Sequence, residues 1–352
     1  ENHPMKKNLL LLQSDPLHPR KSEGAFLKLD DGRLIYAYSR YSGGGWRDDD
    51  PCDIVSRESP DDGENWSEED QLLVAHNDAQ NVMSVSFLRL HSRRILLFYL
   101  RKCRRRNRVP VCMPMVKTSE DDGVTWSEAR PVIPFPGWFV LNNDRVIQLA
   151  NGRILVPVAW HRPLNLTGNS SAAITLIYCS DDEGESFYEA ANWILPEQES
   201  VSGLQEPAVV EAAPGKLLCF MRTDAGHQMV SRSSDDGMHW SRPEVSEFAS
   251  PLSPLSIKKN DFNGRLYAVW NDISHRGDYL ESSWGRTPLV IASSADQGQS
   301  WEHRDVLEDD PGRGYCYTSM YFRPDALLLA YCCGGREGKV VLQESKLVKY
   351  CR

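Results

Sequence analysis

One eight-residue pattern occurs five times in this chain, and its spacing restricts the fold more than any other feature. The stretches SPDDGENW from Ser59, SEDDGVTW from Ser119, SDDEGESF from Ser180, SSDDGMHW from Ser233 and SADQGQSW from Ser294 all read Ser-x-Asp-x-Gly-x-x-aromatic. Successive serines are 60, 61, 53 and 61 residues apart. Between the boxes runs a second periodicity. Residues 24–40, 84–100, 143–160, 207–222, 255–271 and 318–333 each hold an apolar-rich run, a short turn and a second run rich in Leu, Ile, Val and Tyr. That is a hairpin signature, with glycine at most turns to supply positive φ.

A unit of 53 to 61 residues with four strands' worth of β-pattern is a propeller blade, because one such sheet cannot bury both of its faces alone. The sixth hairpin has no box after it, since the sequence given ends at Arg352. One further strand, KVVLQESKLV, fits there, and MKKNLLLLQ near the other terminus is the expected outer strand of the same blade. An N-terminal strand placed there pairs the last open edge. The expectation is an all-β, six-bladed β-propeller closed by an N-terminal strand, with residues 1–352 as one catalytic domain. The boxes read as scaffold: Asp caps backbone N–H groups after a tight turn, Gly takes the left-handed conformation, and the aromatic packs under the hairpin. Their aspartates belong on the rim opposite the functional one.

Charged residues make up 25% and apolar ones 41% of the 352 residues, which is a globular composition. A net charge of −9 argues against nucleic acid as the main partner. No run of eighteen apolar residues is present, so no membrane insertion is expected. No charged-then-apolar leader follows Glu1, so a signal peptide has been removed or never existed; the compartment stays open, with a secreted or periplasmic one favoured. Nine cysteines, an odd number with no CxxC pair, point to mostly free thiols and to no zinc site. Asn65, Asn165 and Asn169 lie in Asn-x-Ser/Thr matches that matter only in a glycosylating source.

Five boxes on a six-blade spacing resemble the sialidase (neuraminidase) superfamily, and the resemblance covers the whole chain. Boxes alone do not decide the activity, because that superfamily also holds other glycosidases, lyases and non-enzymatic propellers. The chemistry of releasing a sialic acid sets the further requirements. A carboxylate on the anomeric carbon calls for arginines, whose planar fork binds it through two bonds. The same carboxylate repels a carboxylate nucleophile, so sialidases use a Tyr activated by a Glu, and an Asp protonates the leaving oxygen. No metal or organic cofactor is implied.

Carried onto this chain, the resemblance makes Glu206 in QEPAVVEAAPGKLLCFMRT the base and Arg222 one carboxylate-binding arginine. Arg286, just before the strand leading to the fifth box, is a second. Tyr317 in YCYTSMYF is the nucleophile; Tyr315, two residues away, faces the same side of a regular strand and is the alternative. Asp48, Asp49 and Asp50 stand in a row where the acid belongs: a gapless count selects Asp48, with Asp50 next. Arg20 fills the first-arginine position only with an insertion before the turn, and a gapless match falls on Ser22 beside Glu23. Glu23 is then the acid expected to balance Arg222 and Arg286. The family's acid after the tyrosine of the next strand has no counterpart, since Cys332 follows Tyr331.

Trp160 and His161 are candidates for a sugar subsite or for core packing. The run RKCRRRNR, Arg101 to Arg108, reads as a solvated loop or as an attractor for an anionic glycan. The expected function is an exo-acting, retaining glycoside hydrolase releasing sialic acid or a related acidic sugar from a glycan. The alternatives are a glycosidase of the same fold for another sugar and a non-catalytic carbohydrate-binding propeller. A Tyr317–Glu206 pair within hydrogen-bond reach favours an enzyme, and three convergent arginines favour sialic acid. The oligomeric state does not follow from the sequence.

Overall fold

Every box serine is the last residue of a strand: Cys52–Ser59, Val111–Ser119, Asn169–Ser180, His227–Ser233 or Leu289–Ser294. These positions come from a computed structural model that describes residues 5–103, 110–165, 168–196, 200–338 and 340–351. The box then folds on itself. Ser59 Oγ donates to Asp61 Oδ1 at 2.9 Å and accepts from the Gly63 N–H at 2.8 Å, while Asp61 Oδ1 accepts the Asn65 N–H at 2.8 Å. The same three contacts recur at Ser119, Ser180, Ser233 and Ser294. Asp62 and Gly63 take φ of 57° and 96°, and a Cβ on Gly63 would lie 2.3 Å from Leu328 Cδ1. Glycine is therefore required twice over, by backbone conformation and by space.

The box aromatics act as wedges. Trp66 donates its Nε1–H to Gly63 O at 3.0 Å and packs on a core of Leu12, Phe26, Leu34, Tyr36, Tyr38, Val55, Leu328, Ala330 and Leu347. That core draws on the first and the last sheets, so one box ties two sheets together. Trp126, Phe187, Trp240 and Trp301 pack on the other main cores in the same way.

The molecule is all-β. Three four-stranded antiparallel sheets follow the expected order: Lys21–Lys28, Leu34–Tyr41, Cys52–Ser59 and Gln71–Val74; then Gln205–Ala213 to Glu244–Ala249; then Ser256–Lys259 to Glu302–Glu308. A fourth holds Cys316–Phe322, Leu327–Cys332, Ser345–Cys351 and, on its edge, Met5–Leu12. Met5 pairs with Cys351 and Leu12 with Ser345, with one irregularity between Asn8 and Leu10. The last strand starts at Ser345, several residues later than KVVLQESKLV suggested, because residues 341–343 form a turn.

The second and third hairpins depart from separate sheets. The short strand Trp138–Val140 pairs in parallel with Val111–Ser119 and antiparallel with Ile154–Pro163, joining both hairpins into one nine-stranded sheet. Among the described residues, no sheet closes on itself. The first arm of the third hairpin shrinks to Ile147–Gln148 because the residues ahead of it serve other strands. Asn143 Nδ2 donates to Gly24 O and Tyr317 O, and Asp144 accepts from Lys258 Nζ and the Met320 N–H. Arg145 reaches Ser256 Oγ and Leu255 O. Three consecutive side chains thus reach three other sheets.

All nine cysteines are free, and seven are buried. The Asn65 side chain donates to Asp61 Oδ2 and so belongs to its box.

The Asp182 carboxylate accepts from Ser180 Oγ, the Ser186 N–H and Ser186 Oγ. Replacing Asp182 by Ala should lower unfolding free energy by about 1–3 kcal/mol, the range for several lost hydrogen bonds. Urea unfolding with an unchanged midpoint would show that the box is not structural.

Candidate active site

A regular strand turns only alternate side chains to one face. Four of the strands nearest the centre break that rule with a residue in the left-handed region: Glu23 (φ 56°), Ser84 (57°), Glu206 (46°) and Tyr317 (57°). Each coincides with a shift in pairing register, at Ser22/Ala25, Met83/Ser86, Gln205/Ala208 and Cys316/Ser319. The bulge adds a residue and re-aims its side chain. All four line one cavity of about 420 Å³.

Tyr317 donates its hydroxyl to Glu206 Oε1 at 2.9 Å, and Glu206 Oε2 accepts from Arg222 Nη1 at 2.7 Å. Both residues of the pair are buried, with 8% exposure each. Burial pushes the Glu206 pKa up, but the Arg222 charge and hydrogen bond, with Arg286 behind them, bring it below the usual range. Burial and then the Glu206 charge push the Tyr317 hydroxyl well above its ordinary value. The proton therefore rests on Tyr317 beside an ionised Glu206. Arg286 stacks its guanidinium 5.7 Å from the Tyr317 ring and donates to Cys316 Sγ at 3.1 Å. Arg222 and Arg286 thus flank the Tyr317–Glu206 pair. Tyr315 does not share the face of Tyr317. The bulge at Tyr317 breaks the alternation, and Tyr315 is buried against Tyr331 in a separate core.

Arg20 lines the same cavity, just ahead of the strand that carries the irregularity after Ser22. It is 1% exposed, and almost its whole donor set is engaged. Nη1 donates to Asp48 Oδ1 at 2.6 Å and Trp46 O at 3.1 Å, Nη2 to Glu23 Oε2 at 2.7 Å, and Nε to Ser22 Oγ at 2.8 Å. Glu23 was expected between Arg222 and Arg286; it is bound to Arg20 instead, because it sits three residues along the same strand. Burial raises the Glu23 pKa, Arg20 opposes this, and Asp48 adds to it.

Of the three adjacent aspartates, only Asp48 lines the cavity. Its side chain is 64% exposed. Burial of the surrounding pocket pushes its pKa up, yet the Arg20 and Lys102 charges outweigh that and hold it well below the carboxylate range. Asp50 is not at the site: its carboxylate accepts the Arg47 N–H at 2.7 Å and closes the turn. The loop itself is clamped from the next hairpin. Asn81 Nδ2 donates to Asp48 O and Asp50 O, Lys102 Nζ to Asp48 O at 2.9 Å, and Gln80 Nε2 to Asp49 O.

Lys102 corrects another expectation. It belongs to the basic run read as a loop, but it is 5% exposed and lines the cavity with Trp138 under its charge. Arg101 pairs with Asp78 at the surface, and residues 104–108 of that run lie outside the described residues. Trp160 does not line the cavity; it packs between Phe139 and Trp193. His161 does line it, and burial lowers its pKa, keeping the ring neutral. None of the five box aspartates lines it, and each box lies at the far end of a strand entered from the cavity side, as Asp48 precedes Cys52–Ser59.

Sequence reasoning missed Lys102, Trp46, Trp284 and the central Asn142 to Arg145. A hint was present in the run Asn-Asn-Asp-Arg standing where an inner strand should be apolar. Five cations (Arg20, Arg47, Lys102, Arg222, Arg286) face three acids (Glu23, Asp48, Glu206) in the cavity, an excess of two positive charges in a chain of net −9. Such a pocket concentrates an anion.

Replacing Lys102 by Met removes a charge that lowers Asp48, so the Asp48 titration should move upward. Carbon-detected NMR of the carboxyl group reads this, and an unmoved titration would remove Lys102 from the site.

The BNR repeat-like domain family matches residues 32–329. No curated protein matches the chain in sequence. A Dyadobacter fermentans protein described as of unknown function shares the fold with a TM-score of 0.78 and 18% identity, over 99% of both chains. The Hadza microbial sialidase Hz136 follows at 0.74 and 16%, over 98% of this chain and 68% of its own. A Trypanosoma rangeli sialidase, solved as a covalent intermediate with 2,3-difluorosialic acid, matches at 0.72 and 16%, over 99% of this chain and 59% of its own. The family match spans most of its length, so the chain belongs to the BNR repeat-like domain family, and it shares its fold with sialidases.

Proposed function

We propose that the protein is an exo-acting, retaining glycoside hydrolase of sialidase type that releases a terminal sialic acid or related acidic sugar from a glycan. The observation that carries this is the buried Tyr317–Glu206 hydrogen bond at 2.9 Å, set between Arg222 and Arg286 in a cavity with excess positive charge. The relatives of the same fold include sialidases.

In this mechanism Arg222 and Arg286 hold the substrate carboxylate, with Arg20 beside them. Tyr317 Oη attacks the anomeric carbon while Glu206 takes the phenolic proton. The bond to the leaving oxygen breaks as Asp48 gives that oxygen a proton. Water, deprotonated by Asp48, then displaces the tyrosine, and Glu206 returns the proton to Tyr317. A tyrosine suits this step because the Glu206 charge stays off the attacking atom.

The catalytic domain is best described as six blades around an axis. Strand Lys21–Lys28 packs on both Asn81–Arg89 and Cys316–Phe322, Ser256–Lys259 packs on Gln205–Ala213 and Cys316–Phe322, and Gln205–Ala213 packs on Ile154–Pro163. The edge pairing of Met5–Leu12 supports an N-terminal strand completing the sixth blade.

One observation favours a second reading. Arg20 already serves two carboxylates, which leaves less charge for a third and suits a glycosidase for a different sugar. A panel of aryl sialosides, uronides and neutral glycosides separates the two. Turnover of sialosides alone is the expected result; turnover of another sugar alone selects the second reading, and no turnover leaves a carbohydrate-binding propeller.

On the best substrate, Glu206→Gln should lower kcat by about 10²- to 10⁴-fold, the usual contribution of a general base. Arg222→Ala or Arg286→Ala should cost about 2–5 kcal/mol in kcat/KM if the substrate bears a carboxylate. Wild-type kinetics in both arginine variants would make these arginines structural.

A further inference from the structure

The site poses a chemical problem for its own acid. Asp48 must carry a proton to protonate a leaving oxygen, yet its carboxylate is bound to Arg20 Nη1 at 2.6 Å, which favours the ionised form. The charged groups around it are Arg20 and Glu23 at the start of strand Lys21–Lys28, Arg47 beside it in its own loop, Lys102 from the second hairpin and Arg286 ahead of strand Leu289–Ser294. Four of these five are cations. Tyr41 and Cys52, also nearby, are held un-ionised by burial.

Arg20 is also the group that an anionic sugar must reach, and it has almost no donor free. Its Nε is held by Ser22, its Nη2 by Glu23, and its Nη1 by Asp48 and Trp46 O. Glu23 cannot move aside. It is 4% exposed and its second oxygen accepts from Ser84 Oγ at 3.4 Å. Asp48 can, since its side chain is 64% exposed and faces the cavity, while its backbone stays clamped by Asn81 and Lys102.

Building on the proposed glycosidase reaction, we propose that an incoming sugar carboxylate takes Arg20 Nη1 from Asp48, and that Asp48 binds a proton from solvent as it is released. Substrate binding itself then arms the acid. The negative charge of the substrate, arriving on the same guanidinium, adds to the effect by opposing a second carboxylate there. The proton balance closes over one turnover. Asp48 gains a proton on binding, gives it to the leaving oxygen, and takes one from the attacking water. It loses that proton to solvent when the product leaves and Arg20 Nη1 returns to it. A sugar without a carboxylate would not trigger this exchange, so the coupling also selects for acidic substrates.

Calorimetric titration of the full chain with a 2,3-unsaturated sialic acid, in two buffers of different ionisation enthalpy, measures the exchange. Proton uptake should grow toward about one per ligand as the pH is lowered. It should vanish in Asp48→Asn and in Asp48→Ala, both of which should still bind. Equal enthalpies in the two buffers with the wild type would overturn the proposal, as would uptake that persists without Asp48, since Glu23 would then be the acceptor. If the wild type cleaves aryl sialosides but binds without uptake, only this coupling fails. If it neither binds the probe nor cleaves any sialoside, the sialidase function fails with it.

Discussion

The site exists because four inner strands contain a residue at positive φ. A non-glycine residue in that region costs about 1–2 kcal/mol relative to ordinary strand geometry, and here it occurs at Glu23, Ser84, Glu206 and Tyr317. A fifth residue of this kind, Asp144, sits in the central segment that pins the same strands together. Without the kinks, Glu206 and Tyr317 could not both reach the cavity while their neighbours fill the core. The neighbours adapt accordingly. Gly24 follows Glu23, and a Cβ there would lie 2.5 Å from Ala37 O. Strain concentrated where side chains converge is the usual mark of a functional site, and the rest of the fold over-determines it through boxes, wedged aromatics and edge pairing.

Electrostatics then distributes protons unevenly over similar groups. Glu206, Glu23 and Asp48 are all carboxylates in one cavity, yet they are pushed in different directions. Glu206 and Asp48 each have an arginine bonded directly and further cations behind it. Glu23 has an arginine too, but it is enclosed and shares that arginine with Asp48. The same contrast of environments is how one fold separates acids from bases. Arg145 adds to the field from below. It is 3% exposed, it has only neutral hydrogen-bond partners, and its charge is felt by Glu206 and Tyr317. Burial of that cation is costly, and the neighbouring Asp144 charge offsets it first, ahead of Glu206 and Tyr317. The position of Arg145 beneath the pair supports the negative charge that moves between Tyr317 and Glu206 in the proposed reaction.

The repeating parts of this chain were legible in its sequence because they obey local rules. A box is a closed network within eight residues, and a hairpin announces itself by pattern. Glu206, Arg222, Arg286 and Tyr317 were singled out by the family resemblance of the segments that hold them, and the structure brings these four into one cavity. Arg20 was harder to read, because a gapless count to the turn falls on Ser22, and the bulge that follows Ser22 cannot be anticipated from sequence. Asp48 was one of three equivalent letters until Asn81, Gln80 and Lys102, from another hairpin, chose its orientation. Lys102 was hidden in a run of like charges, where composition predicts solvent and only tertiary packing reveals burial. The joining strand Trp138–Val140 and the central residues 143–145 answer to no local pattern. The strand bridges two separate hairpins, and the central residues bind partners on other sheets, up to 176 residues away in sequence for Asp144 and Met320.

The two ends of the inner strands thus face opposite demands. At the box end, each aspartate satisfies its bonds within its own turn, so its stability is local and repeated five times. At the cavity end, polar contacts also cross between sheets: Glu206 binds Arg222 of its own hairpin and Tyr317 of the last sheet, and Asn143 binds both Gly24 and Tyr317. Strands of eight residues separate these ends by roughly 26 Å, well beyond a Debye length at physiological salt. The many box carboxylates therefore leave the cavity's positive excess intact. A chain of net negative charge can in this way keep a cationic pocket, because its acids are spent where the strands turn back and its arginines where they meet.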